Sequence, residues 1–84
     1  LGIYGPIDCG AYISNFMLSA HSHGVSTIAQ ASLAAHPEFL RKYFGIATNR
    51  KFLAGISFGY SDEAHPANAF RTDRVPVESA AVFV

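Results

Sequence analysis

Arg71 and Arg74, in the run Arg71-Thr72-Asp73-Arg74, set two guanidinium groups three residues apart just after a polar loop. Two such planar forks can converge on one phosphate, because each presents N–H donors in a fixed geometry. The competing reading is a pair of solvated surface arginines, and composition alone favours it. Four histidines invite a metal site. His21 and His23 are two residues apart, however, so on a helix they point about 200° away from each other. His36 precedes Pro37 and suits a helix cap, while His65 stands in a polar loop near Asp62 and Glu63. No His-Glu-x-x-His run or comparable ligand spacing occurs, so the histidines read as structural or solvent-exposed. The single cysteine, Cys9, excludes an internal disulfide framework and a multi-cysteine metal site, and reads as a small packing residue. No serine sits in a G-x-S-x-G elbow, and the Gly-rich opening has neither a G-x-G-x-x-G nor a Walker pattern. Chemistry carried by a protein nucleophile, or phosphoryl transfer, has no support here.

The elements that must position these residues can be read from the spacing of apolar side chains and from Gly and Pro. Residues 1–7 (LGIYGPI) read as a loop, with Asp8 as the N-cap of a helix after it. From Cys9 to His23 the positions Tyr12, Ile13, Phe16, Met17 and Ala20 recur at helical spacing, and Gly24 suits the left-handed end of that helix. Gly10, Ala11, Ser14 and Ser19 on it are small enough for another backbone to come close. Val25 to Ile28 reads as a connection, and Ala29 to Ala35 as a loop passing into a helical turn. His36-Pro37-Glu38 opens a second helix, with Pro at the first position and an acidic residue at the positive end of the dipole; it runs to Gly45. Lys51 to Tyr60 (KFLAGISFGY) is the best strand, apolar on both faces as a central strand would be. Gly55 and Gly59 within it imply close backbone approach. Ser61 to Asn68 is a polar loop, and Val75 to Val84 ends in an extended apolar segment that wants a sheet edge to join.

Composition sets the wider bounds. Half of the 84 residues are hydrophobic and only 14% are charged. A domain this small buries only about 60% of what its unfolded chain exposes, and with few charges to face water it is left with surplus apolar surface. That surface requires a partner, either another copy or the rest of a longer chain. Six basic and six acidic residues cancel, which removes the electrostatic footprint for nucleic acid or a membrane surface. The apolar runs fall well short of the roughly 20 residues of a membrane span. The chain opens on Leu1 rather than Met and carries no signal-peptide pattern, which predicts a processed, truncated or partial polypeptide.

The ordered series of patterns resembles the C-terminal half of the nitroreductase family. It comprises Asp8-Cys9-Gly10-Ala11, Asn15-Phe16-Met17-Leu18-Ser19-Ala20-His21 and Gly24-Val25-Ser26-Thr27, then Ala29-Gln30-Ala31-Ser32-Leu33-Ala34 and Pro37 to Gly45-Ile46. Gly55-Ile56-Ser57-Phe58-Gly59-Tyr60-Ser61-Asp62, Pro66-x-Asn68 and Phe70-Arg71-Thr72-Asp73-Arg74-Val75-Pro76-Val77 complete it. No single motif is specific; the order of the whole series is, and it spans nearly the entire chain.

The resemblance implies an α+β fold with helices packed on a mixed sheet, residues 1–84 forming the C-terminal portion of a single domain. It implies FMN as cofactor, NAD(P)H as hydride donor and a nitroaromatic or quinone-type small molecule as acceptor. It also implies an intertwined homodimer, with the terminal strand crossing to the partner subunit, and a cytoplasmic location. In such an enzyme the flavin carries the chemistry and no catalytic side chain is required. By the same resemblance, Ala29, Gln30, Ala31 and Ser32 form the turn past the flavin ring, whose backbone N–H groups can reach the ring nitrogen that takes hydride. Arg71 and Arg74 hold the flavin phosphate. Two departures matter. Many relatives have Cys-Pro before the Gln, where this chain has Ile28-Ala29, and the family's N-terminal arginines and serine that clasp phosphate and ribityl chain do not occur here. The alternatives are a catalytically inactive, split or degenerate subunit with a structural role in a larger complex, and a module that binds flavin without turnover.

Overall fold

The computed structural model of the chain describes residues 2–84. Leu1, expected at the start of the opening loop, lies outside the described residues. The first helix, α1, spans Tyr4–Ser22 and so begins four residues before Asp8, with Ile3 rather than Asp8 at the N-cap position. The reason is local. Pro6 falls in the first turn, where its missing N–H would have had no intrahelical partner, and the Ile7 N–H still closes onto the Ile3 carbonyl at 3.1 Å. Gly-Pro therefore sits within the helix rather than before it. At the other end Gly24 takes a φ of 77°, and the Val25 N–H reaches back to the Ala20 carbonyl at 3.0 Å, closing the helix as expected.

The segment read as a connection and loop is instead a strand, β1 (Ser26–Gln30), with a 3-10 turn directly after it at Ala31–Ala35. Its β-branched Thr27 and Ile28 tolerate either reading; what decides is β2 (Gly55–Gly59), a strand about thirty residues later in the chain. The two run antiparallel, with Ser26 opposite Gly59, Ile28 opposite Ser57 and Gln30 opposite Gly55. Only five residues of the expected strand 51–60 join the ladder, because β1 offers five partners. Between the strands lies α2 (Pro37–Phe44), which starts at Pro37 and stops at Gly45 (φ 67°), as the sequence predicts. Arg41 ties α2 to the segment leading into β2: its Nη2 donates to the Arg50 carbonyl at 2.8 Å, and its guanidinium lies 5.8 Å from the Phe52 ring centroid.

The last stretch departs further from expectation. Val77–Ala80 form one short helical turn, α3, followed by Ala81 in extended conformation (φ −142°, ψ 144°), and residues 81–84 join no strand among the described residues. The chain is thus α+β, with α1 against β1 of a two-stranded sheet.

No described residue is fully buried, and the accessible surface is 7709 Å². A compact monomer of 9.0 kDa exposes about 4,900 Å². The radius of gyration is 16.4 Å, against about 12 Å for a compact chain of this length. Ile13, Met17 and Ala20 on α1, and Ile56 on β2, are only half-shielded, while Phe58 is 74% exposed and Phe83 83% exposed. These surfaces have the composition of a core with one side absent. No helix among the described residues is long and apolar enough to cross a membrane.

Candidate functional site

The site is built at the junction where β1 turns into the 3-10 segment. Gln30 ends the strand in extended conformation (φ −128°, ψ 102°), and Ala31 begins the turn. The abrupt change of backbone leaves the first amides of the turn, Ala31 and Ser32, without partners inside it, and no side chain caps them. Ala29, Gln30, Ala31 and Ser32, four of the residues expected to line a cofactor, thus form one continuous edge across the junction.

Two contacts from β2 hold this edge. Within the antiparallel ladder Gln30 and Ser57 are diagonal neighbours on one face, and the Ser57 hydroxyl donates to Gln30 Oε1 at 2.6 Å. Directly opposite Gln30, Gly55 faces the 3-10 turn, and the side chain of Leu33 occupies the space a β-carbon there would fill. Ser57 carries no mark in the sequence, since a serine inside an apolar strand is unremarked until the register is known. Gly55 does, through the expectation of close backbone approach.

Beyond β2, Ile28 and Ser57 on the sheet and Ser61 and Asn68 from the next loop border a cleft of about 360 Å³. That loop is stitched internally. The Asn68 side-chain amide donates to the Asp62 carbonyl at 2.7 Å, Asp62 Oδ1 accepts from the Ala64 N–H at 3.1 Å, and His65 Nδ1 accepts from the Ala67 N–H at 3.1 Å. His65 is therefore a structural cap for the turn Pro66–Asn68. His36 holds the N-cap position of α2 without a side-chain bond. Cys9, expected to be a packing residue, is an exposed free thiol; it borders an open cleft with Tyr12 and Phe52. No cluster of three metal-ligating side chains occurs among the described residues.

Arg71 and Arg74 come directly after the stitched loop. Both are exposed and fold back on their own backbone: Arg71 donates to the Asn68 and Phe70 carbonyls at 3.3 and 3.0 Å, and Arg74 to Thr72 Oγ1 at 2.8 Å. The fold brings the four turn residues together and adds Ser57 and Leu33. Among the described residues it joins the arginines to the turn by no hydrogen bond, their side-chain bonds lying within residues 68–74. Chemically the arrangement offers backbone donors at a sheet edge, one cleft beside them, and two cations hydrogen-bonded to nearby backbone carbonyls and the Thr72 hydroxyl.

A family model described as the nitroreductase family matches residues 3–60. The chain is 44% identical over 78 residues to a 4-nitrobenzoate reductase of Nocardioides sp., covering 93% of this chain and 32% of that protein. It is 36% identical over 76 residues to the nitroreductase NfnB of Mycolicibacterium smegmatis, covering 90% of this chain and 32% of NfnB. The crystal structure of the FMN-dependent nitroreductase NfnB from Mycobacterium smegmatis in complex with NADPH matches with a TM-score of 0.86 at 35% identity, over 92% of this chain and 34% of that one. The chain spans about a third of the length of these relatives.

Proposed function

The chain belongs to the nitroreductase family, and from that premise we propose that it is part of an FMN-dependent oxidoreductase moving hydride from NAD(P)H to a nitroaromatic or quinone-type acceptor. The observation that carries the reading is the match, at a TM-score of 0.86 over 92% of this chain, to a nitroreductase described as FMN-dependent and bound to NADPH. The residues present fit a flavin. At the β1 junction the uncapped amides of Ala31 and Ser32 are donors suited to a ring heteroatom, and they follow directly on Ala29 and the extended backbone of Gln30. Arg71 and Arg74 are exposed forks that exchange weak local carbonyl bonds for a phosphate at little conformational cost. FMN supplies the hydride-accepting ring when bound; the protein's part is to bind, orient and exclude water, and no acid–base side chain is needed.

A second subunit or the remainder of a longer polypeptide completes the site. Support comes from the missing core, the bare outer edge of β2 and the unpaired tail ending in Val82-Phe83-Val84. That tail is the segment proposed to cross to a partner's sheet. The alternative, a catalytically inactive subunit with a structural role, draws on the arginine side chains being turned onto their own backbone.

The visible spectrum of the purified protein, with whatever copurifies, separates the two. A flavin spectrum that bleaches with NADH or NADPH and returns with a quinone or nitroaromatic is the expected result. A sample that stays colourless after added FMN overturns the enzyme reading.

A further inference from the structure

Strand β2 makes two separate contacts with the β1 junction, and they grip it from either end. Ser57 holds the side chain of the last strand residue, Gln30, through a hydroxyl-to-carbonyl hydrogen bond of 2.6 Å. Gly55 receives the side chain of Leu33, the third residue of the turn, in the space its own β-carbon would fill. Ala31 and Ser32 lie between these two anchors with their N–H groups uncapped. A two-residue segment fixed at both ends has few backbone states left, and so its amides keep one direction without spending themselves on an internal hydrogen bond.

We infer that Ser57 is a positioning residue for the cofactor: by holding Gln30 while Gly55 seats Leu33, β2 fixes the Ala31 and Ser32 amides in the direction in which the flavin ring is met. The inference rests on the FMN reading above for the identity of the ligand, and on the two β2 contacts alone for the clamp. Gln30 and Ser57 lie on the same sheet face as Gly55, opposite the face that carries Phe58. Phe58, together with Phe16 and Val25, lines an apolar cleft beside α1. The sheet therefore divides its work, one face toward α1 and the other controlling the junction.

Two readouts test this on the assembled protein, one with and one without flavin. In the flavin-free protein the backbone order parameters of Ala31 and Ser32 are expected near 0.85, falling toward about 0.6 in Ser57→Ala. In the reconstituted protein Ser57→Ala is expected to bind FMN about two- to tenfold more weakly, the range set by loss of one neutral hydrogen bond. Ser57→Thr, which keeps the hydroxyl, restores both. Gln30→Leu removes the same bond from the other side and reports in place of Ser57→Ala should that variant not fold. Unchanged order parameters in both variants overturn the clamp. Loosened amides with unchanged FMN affinity overturn its role toward the cofactor. A wild-type protein that takes up no FMN overturns the flavin reading instead, while the order parameters still decide whether the clamp exists.

Discussion

Leu33 lies in the space that a β-carbon on Gly55 would occupy, so the 3-10 turn after β1 packs this closely on β2 because residue 55 has no side chain. The obstacle to substitution is the far end of a flexible leucine rather than backbone, and this sets the size of the effect. Gly55→Ala is expected to displace Leu33 and destabilise the assembled protein by about 1–3 kcal/mol. Thermal melting checks it, and Gly55→Ala/Leu33→Ala should recover part of the loss if the overlap is the cause.

Arg41 joins α2 to the approach of β2 through the Arg50 carbonyl and the Phe52 ring. A charged hydrogen bond contributes about 1.5–3 kcal/mol and an exposed cation–π contact about 0.5–1 kcal/mol. Because Arg41 is only half-buried, Arg41→Ala is expected at the lower end, about 1–2 kcal/mol in chemical denaturation. Arg41→Lys should recover less than half, since the ammonium cannot reach the carbonyl and lie over the ring at once. Full recovery by lysine would show that charge alone matters.

Arg71 and Arg74 are predicted to weaken FMN binding when replaced by alanine, each by about tenfold to a hundredfold as a lost charge-assisted bond. Raising the salt concentration should weaken wild-type binding and narrow the gap between it and the variants, because exposed charges are screened. Titration of the flavin-free protein with FMN at two ionic strengths measures both. Affinities that do not change in either variant would return these residues to the solvated surface.

The tail Val82-Phe83-Val84 is exposed and joins no strand among the described residues. If the tail crosses to a partner subunit as proposed, removing it is expected to lower the sedimenting mass of the assembly, with loss of flavin from the same fractions. A truncated protein that remains dimeric and yellow would separate the tail from the interface.

The bounds of α2 were legible in the sequence because they depend on local chemistry: proline at a first helical position and glycine in the left-handed region. The end of α1 at Gly24 was legible for the same reason. Its start was not. Asp8 is a good cap by residue type, but the Gly5-Pro6 turn before it is equally compatible with a helix, and the longer helix won. The sequence by itself also determined that this chain cannot enclose its own apolar side chains, since half of its residues are hydrophobic and few charges are available to face water. Its ordered motifs determined the family. Only the tertiary structure decided that Ser26–Gln30 is a strand, that Ser57 reaches Gln30, and that Gly55 is the seat of Leu33. Each of these depends on the register between segments nearly thirty residues apart. A one-residue slip of that register would turn Ser57 to the opposite face, and no local propensity encodes the choice.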